Sequence, residues 1–282
     1  MKIASAVLLS SVFVGVDAFQ VGSPRPLLHQ SKSVWEGRGI APTSSCLFAG
    51  DEDCGCGGPE ILSGDVPEGA RTLNPRAAMR KAKIYRTSGE AVSMDELLRT
   101  NSKLSIVVFL RSLGWPLCQE LILQWSRKVN ELESRGVDLV MVSIGLPEKG
   151  QQLIEHLEFK DGENYLFVDP DNAMYDALTL NSGIGRLVRM DTSFSFLDRI
   201  TKKDGLKDLF EVLSKWSKAF FIPPKGEQAF NQGGTFVFDG ERAVFAHYDP
   251  STAAHATPEQ VMEVVETELS KTDARTAVTG NK

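Results

Sequence analysis

The spacing of apolar residues changes character several times along the chain, and each change marks an element. Ala82 to Tyr85 can start a strand. Ser93 to Glu96 (SMDE) has the form in which a hydroxyl and a carboxylate cap each other's free backbone N–H groups, so a short helix is predicted to about Arg99. Leu104 to Leu110 (LSIVVFL) is an almost unbroken apolar run, as in a strand covered on both faces. Pro116 then opens a long helix to about Arg135. Its residues Leu117, Leu121, Trp125, Val129 and Leu132 recur at helical spacing, with Glu120, Arg127, Lys128 and Glu131 on the other face. Val137 to Ile144 is a second buried strand, Pro147 to Leu157 a helix, and Tyr165 to Val168 a short strand. Asp169 and Pro170 supply an N-cap and a first-turn proline for a helix to about Leu180.

The alternation continues beyond an insertion from about Arg186 to Gln232. Within it, Leu206, Leu209, Phe210, Leu213 and Trp216 follow a 3.6-residue period and predict an amphipathic helix, stopped by Pro223 and Pro224. Thr235 to Phe238 and Ala243 to His247 flank Asp239 and Gly240, the mark of a hairpin. Thr257 to Gln260 (TPEQ) starts a last helix whose buried stripe is Val261, Val265 and Leu269. Parallel βαβ units followed by a hairpin and a helix give an α/β domain over residues 79–270: a mixed central sheet with helices on both faces, the thioredoxin-like plan. Residues 49–78 are rich in Gly, Pro and acids without periodicity and read as a flexible linker; residues 271–282 read as a disordered tail.

Composition narrows the function. Of 282 residues, 42% are hydrophobic and 24% charged, an ordinary globular balance. The net charge of −6 lacks the basic excess of a nucleic-acid-binding surface. Four cysteines, Cys46, Cys54, Cys56 and Cys118, are too few and too unevenly placed for a disulfide scaffold.

The head of the chain reads as addresses. Residues 1–18 have Lys2, an apolar run from Ile3 to Val16 and small residues beyond, the form of a signal peptide. The run is shorter than the roughly 20 apolar residues of a transmembrane helix, and no later run is longer. Residues 19–48 hold Arg25, Lys32 and Arg38 against one acid, Glu36, a transit-peptide composition. The pair resembles the two-part presequence of algae with complex plastids, where Phe typically follows the signal cleavage site, as Phe19 does here. The expectation is import into the plastid (chloroplast) stroma; the other reading is a secreted protein with a disordered head.

Candidate chemistry centres on Cys118. It falls between a buried strand and the start of a helix, where free backbone N–H groups and the positive end of the helix dipole favour a thiolate. Arg111 adds positive charge nearby. The bland alternative is a small buried hydrophobe. Cys54 and Cys56 form a Cys-x-Cys pair in the acidic stretch, suited to resolving an oxidised Cys118; no neighbouring His or Cys is spaced to complete a metal site with them. His247 and His255 flank the segment after the hairpin and read as structural or surface groups. Thr235 follows Gln232, Gly233 and Gly234, where thioredoxin folds bring a loop against the active cysteine, and is a candidate pocket residue.

Three stretches resemble the peroxiredoxin-like 2 family, of the alkyl hydroperoxide reductase/thiol-specific antioxidant type. They are residues 107–120 (VVFLRSLGWPLCQE), 165–180 (YLFVDPDNAMYDALTL) and 231–256 (NQGGTFVFDGERAVFAHYDPSTAAHA). The resemblance spans about residues 82–268. It implies a thioredoxin-like fold and a thiol oxidoreductase without a cofactor. The implied partners are a hydroperoxide, including lipid hydroperoxides, and a thiol reductant such as thioredoxin or glutathione. It implies that Cys118, nine positions after Phe109, is the attacking thiol. The chain departs from the family at Trp115, which stands where the first cysteine of a Cys-x-x-Cys pair is usual. On the wider peroxiredoxin register Trp115 also replaces a Thr, and Arg111 replaces a Pro. Ser112 is the candidate substitute for the missing hydroxyl. The departure leaves a second reading: a non-catalytic binding module in which Trp115 fills the former cleft.

Overall fold

The computed structural model describes residues 58–80, 82–98, 102–186 and 206–279. The chain divides into two units, residues 1–48 and 49–282, and the described residues belong to the second. The expected signal and transit segments lie outside the described residues, as do Cys46, Cys54 and Cys56.

Eight strands build one sheet: β1 (Ile61–Gly64), β2 (Lys83–Arg86), β3 (Ala91–Ser93), β4 (Leu104–Leu110), β5 (Val137–Ser143), β6 (Leu166–Val168), β7 (Gly234–Asp239) and β8 (Arg242–Tyr248). Their spatial order is β1-β8-β7-β4-β5-β6-β2-β3. The three central strands β4, β5 and β6 are parallel, while β7 runs against both β4 and β8. The helices are α1 (Pro75–Met79), α2 (Met94–Leu97), α3 (Pro116–Ser126), α4 (Val129–Arg135), α5 (Pro147–His156), α6 (Ala173–Ala177), α7 (Lys207–Lys215) and α8 (Pro258–Thr279). The core of β4-α3-β5 followed by the β7–β8 hairpin and α8 is the thioredoxin-like arrangement, and the fold is mixed α/β with helices on both faces.

The apolar run of β4 is explained by what covers it. Ile106, Val108 and Leu110 join Leu121, Ile122 and Trp125 of α3 and Val261 and Val265 of α8 on one face. Val107 and Phe109 join Met79, Met174, Tyr175 and Phe236 on the other. Each fully buried side chain of this size contributes about 1.5–3 kcal/mol relative to exposure. Both halves of the predicted capping box form at α2: Ser93 Oγ accepts from Glu96 N–H at 3.3 Å, and Glu96 accepts from Ser93 N–H at 3.0 Å.

Several expectations are corrected. Residues 58–78 are not a linker: β1 pairs in parallel with β8, from Ile61 opposite Phe245 to Gly64 opposite Tyr248. Asn74 caps α1 through Ala77 N–H at 3.2 Å, and Ala70 and Met79 are buried. Elements of four and five residues are too short to display a period among glycines and prolines. The helix from Pro116 is two helices. The chain tightens at the joint, where Lys128 N–H bonds Trp125 O at 2.8 Å, three residues back instead of four. Glu120, assigned to the outer face, is buried.

Asp169 caps its helix from a distance. Its carboxylate accepts from Ala173 N–H at 3.0 Å and Met174 N–H at 2.8 Å, so α6 starts later than Pro170. In α7, Leu209 and Val212 are buried, whereas Phe210 is 65% exposed and Leu213 is also exposed. The buried stripe is therefore rotated from the predicted one. The last helix continues to Thr279, into the stretch expected to be a disordered tail. Among the described residues no helix is long and apolar enough to cross a membrane.

Candidate functional site around Cys118

The site lies where two strands end together. Phe109 of β4 is opposite Gly234 of β7, and Gly234 is opposite Tyr248 of β8. Because β7 is antiparallel to both, β4 and β8 run the same way, and the chain leaves both at the same end of the strands. From β4 it passes through Arg111 to Trp115 and enters α3; from β8 it passes through Asp249 to His255 and enters α8.

Pro116 occupies the first position of α3, which fits its fixed φ and missing N–H, and Cys118 stands in the first turn. Its thiol is free and its side chain fully buried. The Cys118 N–H is not one of the free donors expected at a helix start, because it bonds Trp115 O at 3.0 Å. Trp115 does not fill a cleft: it is 36% exposed, and the Arg111 guanidinium stacks on its ring with the central carbon 4.6 Å from the centroid. Ser112 is half-buried, and its carbonyl accepts from Trp115 N–H at 3.2 Å in the turn before the helix.

Arg111 is buried behind this turn. Its Nε donates to Asn231 O at 2.9 Å, Nη1 to Thr252 Oγ1 at 3.1 Å and Nη2 to Ala229 O at 2.6 Å. Burial lowers the guanidinium from its ordinary pKa, while negative charge at Cys118 and Asp249 works the other way. Thr235 is buried between Val108 and His247 in the ladder, beside the site.

His255 and Asp249 complete the surroundings of the thiol. His255 Nδ1 is hydrogen-bonded to Asp249 Oδ2. The other nitrogen, Nε2, is buried without a well-formed hydrogen bond, and the ring interacts side chain to side chain with Cys118. Burial disfavours the charged imidazolium, but Asp249 and then Cys118 outweigh it, and His255 is raised from 6.5 to about 10. Asp249 is 1% exposed, with His247 Nε2 3.4 Å from its Oδ1. Its backbone N–H bonds Gly233 O at 3.2 Å, and its carbonyl accepts from Asn181 Nδ2 at 3.0 Å. Gly233 must lack a side chain: a Cβ would lie 2.1 Å from Phe109 O and 2.8 Å from Asp249 Oδ2. Tyr175, pushed well above its usual pKa by burial and then by Asp169, Cys118 and Asp249, turns its hydroxyl to the carbonyls of Leu110 and Val142.

A cavity of about 500 Å³ opens beside the cluster, with Leu117, Glu120 and Leu121 of α3 on one wall and His255, Ala256 and Glu259 on the other. The structure thus joins Cys118 and Arg111 of the predicted residues, leaves Trp115 and Ser112 at the rim, and adds Asp249 and His255. The surface reading of His255 is corrected by its burial against the thiol. The signal for both residues is the hairpin, which brings the segment after β8 to the same end of the strands as the segment after β4. Among the described residues no group of His, Cys, Asp and Glu is arranged to hold a metal.

A βαβ unit, a hairpin and a closing helix, with a cysteine at the head of the first helix, define a protein of the thioredoxin-like class. Within it, residues 124–251 match the AhpC/TSA antioxidant enzyme family. The match begins after Cys118 and ends before His255, so it includes Asp249 but neither of these neighbours. No curated protein matches the chain. Among solved structures, peroxidoxin BcpB from Mycobacterium tuberculosis is similar at 14% identity and a TM-score of 0.40, over 68% of this chain and 92% of that one. A cysteine-to-serine mutant of PrxQ from Xylella fastidiosa is similar at 12% identity and 0.44, over 78% and 99%. A peroxiredoxin-like protein from Aquifex aeolicus is similar at 14% identity and 0.38, over 66% and 82%.

Proposed function

We propose that the protein is a thiol peroxidase that reduces hydroperoxides through Cys118. The observation that carries this reading is that Cys118, at the head of α3, shares one buried charged cluster with Arg111, Asp249 and His255. The Cys118 thiolate attacks the terminal oxygen of a hydroperoxide. An S–O bond forms as the O–O bond breaks, sulfur gives up two electrons, and the departing alkoxide takes a proton to become an alcohol. The product is a Cys118 sulfenic acid. A second thiol then displaces water from it to form a disulfide. Cys54, Cys56 or an external thiol fills that role, and a reductant such as thioredoxin or glutathione restores the thiols. The AhpC/TSA match supports a peroxide substrate and a thiol reductant. The acid-poor, Ser-rich segment behind the apolar head supports work in the plastid stroma.

The deciding experiment follows peroxide consumption with thiol reductant for wild type and Cys118→Ser, with trapping of a sulfenic acid on Cys118. Loss of turnover and of the adduct in the variant is expected; equal turnover by the two proteins ends the proposal. The full burial of Cys118 favours one other reading, a non-catalytic binding module on the same fold. A native thiol that reacts with neither peroxide nor a small neutral alkylating agent would favour it.

A further inference from the structure

Resting on that reading, we propose that His255 is the catalytic residue that protonates the departing alkoxide, and that Asp249 positions it, so that the site works as a Cys118–His255–Asp249 relay. An alkoxide is a strong base, and the O–O bond breaks faster when an acid within reach supplies a proton as it leaves. Arg111, Tyr175 and His255 are the groups of the cluster to compare as proton donors. Arg111 holds its proton too tightly to act as an acid, and its Nε, Nη1 and Nη2 are already bonded to Asn231, Thr252 and Ala229. The Tyr175 hydroxyl points into the sheet, to Leu110 and Val142. His255 remains. Its Nδ1 is engaged by Asp249, its buried Nε2 makes no well-formed hydrogen bond, and its ring interacts with the Cys118 side chain and lines the 500 Å³ cavity. His255 lines that cavity whereas the buried Cys118 does not, so the relay requires the peroxide to approach the sulfur from the imidazole side.

Asp249 is fixed for this task on three sides: by its backbone bond to Gly233, by Asn181 on its carbonyl, and by the missing Cβ of Gly233, which lets its carboxylate sit close to the strand. A buried carboxylate accepting from Nδ1–H keeps that proton in place and stabilises the imidazolium, in which Nε2–H is the proton that can be given up. The charged groups facing this ring or its carboxylate from every packed element are Cys118 and Glu120 of α3, Arg111 after β4, His247 and Asp249 at the end of β8, and Glu259 of α8. The imidazolium state, raised to about 10, makes the proton present throughout the neutral range.

The test uses single-turnover oxidation of Cys118 in the full chain by two oxidants. tert-Butyl hydroperoxide expels a strongly basic alkoxide; peracetic acid expels a carboxylate that needs no proton. His255→Gln should slow the first reaction by about 100-fold or more, within the usual range for a general acid, and leave the second within about threefold. Asp249→Asn, which keeps the shape, should show the same selectivity, and imidazole nitrogen NMR should find His255 titrating nearer its ordinary value of about 6.5 in that variant. Equal slowing with both oxidants, no slowing with either, or a neutral His255 in wild type at pH 7 would overturn the role. Wild-type inertness toward both oxidants would overturn the peroxidase reading itself, a result distinct from normal wild-type turnover with an unaffected variant.

Discussion

Trp216 donates its indole N–H to the carbonyl oxygen of Gly114 at 2.8 Å, tying the segment after α7 to the loop that leads into the helix of Cys118. Gln119 repeats the tie, its Nε2 donating to Leu113 O at 2.8 Å and Ala219 O at 3.0 Å. The approach is close enough that a Cβ on Gly114 would lie 2.0 Å from Phe221 O. Trp216→Phe keeps the apolar bulk and removes the bond, so it should cost about 1 kcal/mol. Urea unfolding of the two proteins checks this; a midpoint unchanged at equal slope would mean that the clamp is energetically idle.

Gly233→Ala should be more damaging, because the new methyl meets backbone oxygen at Phe109 and the carboxylate that holds His255. Overpacking of this kind costs about 1–3 kcal/mol. The expected result is a lower thermal midpoint together with slower Cys118 oxidation. A variant as stable and as reactive as wild type would show that the loop can move aside.

Arg111→Lys keeps the positive charge and loses the planar fork. An ammonium cannot reach Asn231, Thr252 and Ala229 at once while stacking on Trp115. Two of the three acceptors lose their partner, and a destabilisation of about 1–3 kcal/mol is expected from calorimetry or denaturant unfolding.

The raised His255 gives stability a defined pH dependence. A proton held more tightly in the folded than in the unfolded state stabilises the fold fully below the unfolded value of 6.5, and this contribution is lost as pH rises toward about 10. The stability of wild type minus that of His255→Gln should therefore be largest near pH 6 and shrink by a few kcal/mol at most by pH 10, since a tenfold difference in proton affinity corresponds to about 1.4 kcal/mol. A difference that stays flat over this window would mean that His255 is not protonated in the folded state.

Much of the fold is legible because its signals are local. The unbroken run of β4 requires cover on both faces, Ser93 and Glu96 announce α2, and Asp239 with Gly240 announces the β7–β8 hairpin. What is missed either is short or depends on tertiary partners. β1 exists because β8 offers it a ladder, and the joint between α3 and α4 is a backbone adjustment at Lys128 that no side-chain pattern marks. The site divides the same way. Cys118 is legible from a strand, a proline and a helix start in succession. Asp249 and His255 reach it only through the direction of β8, so their chemistry becomes visible once the register of that strand is known.

Closing the outer side of β8 with a four-residue strand also bears on how the chain behaves in concentrated solution. A long, flat strand with unpaired backbone groups is a template for another molecule. β8 spans seven residues and would become such a margin if residues 58–64 were removed. With β1 in place, the outermost strand is short and ends at Gly64, where φ is 77° and the chain turns away, and Asp65 is gripped by Arg186 and Asn181. The small strand therefore acts as a guard against strand-to-strand self-association, so a chain shortened past it should form β-rich aggregates before its interior loses its packing.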